Sequence, residues 1–179
     1  MINVFKKLKS ENLLNASGSI LDLGSGSGNI TEPFLDVGYT VTLVDNDEKI
    51  LSDAKAGNII IHCNIEDFSF NEMYDGIFIV NVLPFLNDKI KTKNIINHAY
   101  NVLRYNGFLF FSVFGPMDQW AIDRSNDMSF FTKEEALALL TAEPYFTSED
   151  YGKGATMDGK IKMWHILYFL YIKNRSVKL

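Results

Sequence analysis

The sequence predicts an α/β protein: a doubly wound, seven-stranded sheet, mostly parallel, with an antiparallel last strand. Three observations predict it. Strand-like apolar runs alternate with helix-like segments along most of the chain. The runs 39–44 and 74–80 are almost continuously apolar, as expected for strands covered on both faces. The last connection, 152–162, holds three glycines and no apolar periodicity. Parallel neighbours need a crossover helix there and antiparallel ones do not, so the seventh strand reads as antiparallel to the sixth.

The elements follow in order. Residues 2–14 place Val4, Phe5, Leu8, Leu13 and Leu14 at near-helical spacing between Lys6, Lys7, Lys9 and Glu11, which reads as a short amphipathic helix. Ile20, Leu21 and Leu23 form a buried first strand. Gly24, Gly26 and Gly28 follow at alternate positions, and a helix runs from about Asn29 to Val37, with Pro33 in its first turns and Gly38 as its stop. The second strand, 39–44, ends in Asp45-Asn46-Asp47, where Asp47 or Asn46 caps a helix over about 48–56. Strand three is 59–62 and is followed by the polar turn Asn64 to Phe68. Strand four, 74–80, breaks at Asn81-Val82-Leu83-Pro84. A helix over about 89–103 stops at Asn106-Gly107, before strand five at 108–114. The segment 115–129 is long for a loop, and long loops are often lids or binding loops. Thr132-x-x-Glu135 is a capping box opening one more helix. Strands six and seven lie near 145–151 and 163–173.

The 179 residues fit a single domain, and 47 % are apolar, which marks a globular chain. A net charge of −5 argues against a duplex nucleic acid partner, which needs a basic face. The single Cys63 cannot form an internal disulfide, which fits a reducing compartment. The opening MINVFKKLKS lacks the apolar stretch of a signal peptide, and the longest apolar run, 164–172, is far short of the roughly 20 residues that span a bilayer. No membrane partner and a cytoplasmic location are therefore expected. His62, His98 and His165 fall on unrelated elements, so no metal site is expected.

The stretch from Ile20 to Thr31, ILDLGSGSGNIT, organises the chain. Strand, glycine turn and helix let a backbone approach a ligand closely. A phosphate-binding loop would need a lysine after the glycines, and none follows. A dinucleotide fingerprint, G-x-G-x-x-G/A, fails at Asn29. What stands is Asp22-x-Gly24-x-Gly26-x-Gly28. Ligands of such sheets bind at the carboxyl ends of the strands. Asp45, about 20 residues beyond the glycines, stands at such an end, where a carboxylate accepts both hydroxyls of an unphosphorylated ribose and repels a 2′-phosphate.

The Asp22 motif resembles, in full, the first motif of the class I S-adenosylmethionine-dependent methyltransferases, and the sheet expected above is their Rossmann-like fold. The resemblance implies S-adenosyl-L-methionine as cofactor, held by Asp22, Gly24, Ser25, Gly26 and Gly28. It places Asp45 and Asn46 at the ribose. Asn64, Ile65 and Glu66 fall at the adenine, with Ile65 and Phe68 packing on the ring; many members carry aspartate where this chain has Asn64. Asn81 and Val82 fall at the methionine portion. The loop is not the Asn-Pro-Pro-Tyr type used on nucleobases or glutamine amides. In many small members a leading helix lids the cofactor, a role open to residues 1–16. Phe114-Gly115-x-x-Asp118-x-Trp120, the run 130–135 and Trp164-His165 are similar to the small bacterial tellurite-resistance and thiopurine types.

The expected reaction is in-line displacement of the sulfonium methyl by a small-molecule acceptor. A soft nucleophile, such as a thiolate or chalcogen oxyanion, needs little base catalysis; a hydroxyl or protonated amine needs a base. Asp118 and His165 are the candidates for that base, against the plainer readings of a turn residue and a hydrogen-bonded sheet histidine. Phe85, Met117 and Trp120 are candidate walls of an apolar acceptor pocket. Two other readings stay open: a nicotinamide-dependent (NAD) oxidoreductase, which needs a parallel final strand, and a catalytically silent S-adenosylmethionine-binding protein.

Overall fold

The structure is a computed structural model that describes residues 3–156 and 158–174. Its elements are α1 (Val4–Ser10), β1 (Ser19–Leu23), α2 (Glu32–Asp36), β2 (Thr40–Asp45), α3 (Glu48–Leu51), β3 (Ile59–His62), β4 (Tyr74–Ile79), a 3-10 turn (Leu83–Leu86), α4 (Lys89–Asn101), β5 (Leu103–Phe114), α5 (Trp120–Asp123), α6 (Lys133–Leu137), β6 (Phe146–Ala155) and β7 (Ile161–Ile172).

One seven-stranded sheet has the order β3-β2-β1-β4-β5-β7-β6. The pairs from β3 to β5 are parallel. β7 is antiparallel to both β5 and β6, so one strand runs against six. The expected antiparallel last strand is present, wedged between β5 and β6. A sheet with a parallel final strand, which the oxidoreductase reading needs, is not what the chain builds. Strand order reverses at β1, between β2 and β4, and this switch point opens a crevice above the carboxyl ends of those strands.

Both faces of the sheet are covered, which explains the unbroken apolar runs. Leu21, Ile77, Leu109 and Phe111 pack under Ile95, Ile96 and Ala99 of α4. Ile20, Val41, Phe78 and Phe110 pack under Phe34 of α2 and Val4 and Leu8 of α1. Phe34 is fully buried, with the rings of Phe5, Tyr39, Phe78 and Phe108 within 5.8 Å. Glu11, just past α1, meets Tyr145 at 2.9 Å, and Tyr145 N–H bonds Leu170 near the end of β7. That end pairs with the start of β5, so the tail of α1 lies opposite the crevice.

Several boundaries differ from the sequence expectations. α1 is shorter than 2–14. α2 begins at Glu32 and not at Asn29, because the N–H groups of Thr31 and Glu32 both bond Gly28 O and hold 29–31 as a turn. α3 stops at Leu51, well before Gly57. α4 stops at Asn101, and Asn106-Gly107 does not end it. Leu103 already pairs with Tyr74, and the register shifts before Gly76 pairs with Phe108, so residues 104–107 bulge inside β5 with Asn106 at φ +63°. The capping box is present: Thr132 Oγ1 accepts from Glu135 N–H, and Glu135 Oε2 accepts from Thr132 N–H. Among the described residues, no helix is long and apolar enough to cross a membrane.

Candidate functional site

A cleft of about 630 Å³ opens at the carboxyl ends of β1, β2 and β4, lined by the 24–27 turn, Asn29, Ile30, Asp45 to Asp47, Ile50, Val80 to Val82 and Phe85. Gly24, Asp45, Asn46, Val82 and Phe85 also line a smaller recess of about 120 Å³, closed by Asn64, Ile65, Glu66 and Leu86.

The three loop glycines have positive φ, +70°, +54° and +82°, for different reasons. A Cβ on Gly24 would lie 2.6 Å from Val82, and one on Gly28 would lie 2.7 Å from Leu43, so both are close-packing positions. A Cβ on Gly26 would meet only Ile50, at 3.6 Å, and would project into free space beside the cleft. The turn is pinned to β2: Gly24 and Ser25 donate N–H to Val44 O, at 2.8 and 3.1 Å, and Gly26 N–H donates to Asp45 Oδ2 at 2.8 Å. Asp47 caps α3, accepting from Lys49 N–H and Ile50 N–H. That leaves Asp45, a half-buried lining residue, free of the capping role.

Asp22 lies beneath this turn, 2 % exposed, with Oδ2 accepting from Thr31 Oγ1 at 3.0 Å. Burial pushes its carboxyl up to about 7; the Thr31 hydroxyl opposes the rise and the Asp45 charge adds to it. Neither Asp22 nor the buried Gly28 lines the cleft; both support the loop from below. At the recess, Asn46 Nδ2 donates to Asn64 Oδ1 and Asn64 Nδ2 to Asp67 Oδ2, each at 3.1 Å. Glu66 pairs with Lys91 at 2.7 Å. Phe68 is elsewhere, packed edge-on against Phe70 at 5.2 Å beside His98, so the expected ring-packing role does not fit its place. No described residue of α1 lines either space.

Asn81 stands at φ +59° at the end of β4. Its N–H donates to Ser112 Oγ at 2.8 Å, and Ser112 Oγ–H donates to Asn81 Oδ1 at 3.1 Å. Ser112 is fully buried on β5. Sequence reasoning missed this supporting residue; its signal was a lone hydroxyl inside the apolar run 108–114.

The acceptor candidates divide. Phe85, half exposed, lines the cleft, with its ring against Phe114 and Trp120 at 6.3 and 6.0 Å. Met117 is exposed and lines neither space. Asp118 is 1 % exposed and fully engaged: it pairs with Lys162 Nζ and accepts from Trp120 N–H at 2.9 Å and His165 N–H at 3.0 Å. His165 is 3 % exposed; Nδ1 accepts from Met117 N–H at 3.1 Å, which leaves the proton on Nε2, 2.7 Å from Glu149 Oε1. Neither residue lines the cleft or the recess, and the bonds both make are those of the plainer readings, a turn residue and a hydrogen-bonded sheet histidine.

Lys162 was missed. It is 4 % exposed, with Nζ 3.8 Å from the Trp164 ring centre and 4.0 Å from that of Trp120. Burial pulls its ammonium down and Asp118 opposes the fall. The available signal was register: Lys162 lies two residues before Trp164 on one strand, hence on the same face. Among the described residues, the ionisable side chains lining the cleft and recess are Asp45, Asp47 and Glu66, and no group of His, Cys, Asp and Glu is placed to hold a metal.

Comparison with known proteins places the fold. A family described as a methyltransferase domain matches residues 21–111. No curated protein gives a significant match. Among solved structures, an S-adenosylmethionine-dependent methyltransferase from Methanosarcina mazei superposes with TM-score 0.68 at 20% identity, over 93% of this chain and 97% of its own. TehB from Haemophilus influenzae gives 0.75 at 17% identity, over 97% of this chain and 62% of its own. The N-methyltransferase NodS from Bradyrhizobium japonicum gives 0.62 at 18% identity, over 97% and 98%. These likenesses are of fold. The family match runs from β1 into β5 and takes in half of the 179 residues, and on that ground the chain belongs to the methyltransferase domain family, built on the class I S-adenosylmethionine-dependent fold.

Proposed function

We propose that the protein transfers the methyl group of S-adenosylmethionine to a small thiol that reacts as its thiolate, without a general base. One observation carries the cofactor part: the open space over Gly26 lies beside the carboxylate of Asp45, which is tied to that same glycine. A side chain at 26 would fill this cradle. Asp45 keeps lone pairs for the two ribose hydroxyls, and Asn64, Ile65 and Glu66 surround the recess where an adenine fits. Asn81 and Val82 then flank the methionine portion. Asp22 and Gly28 serve by holding the loop. An NAD pyrophosphate fits poorly, since Asp45 and Asp47 flank the cleft and no basic side chain among the described residues lines it.

The sulfonium supplies an activated methyl group, so the chain has to bind, orient and exclude water. Phe85, Ile30 and Val80 give the strand-four end of the cleft an apolar wall. With Asp118 and His165 committed elsewhere, no imidazole or carboxylate among the described residues lines that end. A thiol suits this, being partly ionised and strongly nucleophilic near neutrality. An oxyanion would find no cationic side chain there among the described residues. The test is S-adenosylhomocysteine release with matched thiols, phenols, amines and chalcogen oxyanions at neutral pH. Turnover of thiols alone is expected; turnover that is fastest with an oxyanion or a phenol contradicts the acceptor part.

A further inference from the structure

Lys162 is a costly residue in its position. An ammonium is removed from water on a wall of three aromatic rings, Phe114 at 5.2 Å, Trp120 at 4.0 Å and Trp164 at 3.8 Å, and Asp118 is buried with it. A buried ion pair of this kind is often no more stabilising than apolar residues of the same size. It does impose geometry. A cation is attracted to the face of an indole and not to its edge, whereas a methionine or leucine tolerates either. Lys162 therefore sets the tilt of two indoles at once, and Asp118 fixes the same unit through Trp120 N–H.

The tilt is passed on. Trp120 meets Trp164 at 5.3 Å and presents itself to Phe85 at 6.0 Å, the two rings crossing at 71°. Two further bonds tie the segment carrying Trp120 to the loop carrying Phe85: Ser129 N–H to Pro84 O at 2.9 Å, and Asn87 Nδ2 to Asn126 O at 2.8 Å. Phe85 is half exposed and faces the cleft.

We propose that Lys162 is a positioning residue for the acceptor end of the cleft: its ammonium, held by Asp118, orients Trp120 so that Phe85 stands as a fixed wall beside the transferable methyl. That placement of Phe85 rests on the methyltransferase reading above. Gly154, which pairs with Lys162 across the hairpin, fits the same unit, because a Cβ there would press on Trp164 at 3.0 Å.

The test places 4-fluorophenylalanine at position 85 and follows its fluorine resonance in the full chain. The wild-type background should give one line that moves when S-adenosylhomocysteine saturates the protein. The Lys162→Met/Asp118→Leu double variant should melt cooperatively and bind S-adenosylhomocysteine within about twofold of wild type, while the line shifts or splits. Trp120→Phe, which removes the indole and keeps an aromatic ring, should displace the line in the same way. An unchanged line in either folded variant overturns the proposal. So does a wild-type line that ignores S-adenosylhomocysteine when calorimetry shows it bound. Absence of any S-adenosylhomocysteine binding would instead overturn the methyltransferase reading, and the response to the two variants would still decide the positioning claim.

Discussion

The backbone N–H of Gly26 donates to Asp45 Oδ2 across 2.8 Å, joining the turn after β1 to the last residue of β2. The other carboxylate oxygen accepts from Asp47 N–H at 3.0 Å. Asp45 thus shapes the loop and keeps acceptor capacity toward the cleft.

Replacing Asp45 by alanine removes both functions. Hydrogen bonds to a charged partner contribute about 1.5–3 kcal/mol each, so the loss of two ribose hydroxyl contacts lowers S-adenosylmethionine affinity by about 100-fold to 10,000-fold. Titration calorimetry reads this directly. Thermal melting should stay within a few degrees of wild type, since the orphaned Gly26 N–H lies beside an open cleft and water can satisfy it.

Gly26→Val separates binding from folding. The space over Gly26 admits the side chain, and the cost is left-handed backbone strain of about 1–2 kcal/mol, or roughly 2–8 °C in a chain of this size. Cofactor affinity should be abolished. Gly24→Val, whose Cβ collides with Val82 at 2.6 Å, should melt lower than Gly26→Val. Equal melting points for the two variants would contradict the distinction drawn between these glycines.

Asp22 gives a pH signature. Its folded-state carboxyl is raised to about 7 from an ordinary 3.8, so the folded protein holds a proton that the unfolded chain has released. The stabilisation from that proton is complete below the ordinary value and is lost as pH rises through about 7. Melting curves of wild type and Asp22→Asn between pH 4 and 8 test it. The variant should gain on wild type steadily as pH rises toward 7; parallel curves would contradict the desolvation of Asp22.

Asp118 is a stability residue in this account. Asp118→Ala leaves Lys162 buried without its partner, and breaking one side of such a pair costs about 3–5 kcal/mol. Urea denaturation should show that loss. A variant of wild-type stability and reduced turnover would restore Asp118 as a base.

The legible parts were those set by local pattern. Asp22-x-Gly24-x-Gly26-x-Gly28 and the distance to Asp45 brought the glycine turn and that carboxylate to one crevice, because backbone geometry and strand ends are encoded within a few residues. The antiparallel β7 was legible from a connection with three glycines and no apolar periodicity, which does not read as a crossover helix. The acceptor side was not. Whether Asp118 and His165 face the cleft or the interior depends on the register between β6 and β7 and on how 115–129 folds over β7, and neither has a local signature. The same long-range packing buried Lys162 among aromatics. The start of α2 was misplaced because local backbone bonds to Gly28 O hold 29–31 as a turn.

The measurement that bears most directly on the central claim is a parallel calorimetric titration of the protein with S-adenosylmethionine, S-adenosylhomocysteine and NAD. The account predicts micromolar binding of the first two, no heat with NAD, and loss of both signals in Asp45→Ala. Binding of NAD alone, or undiminished S-adenosylmethionine affinity in Asp45→Ala, would contradict it.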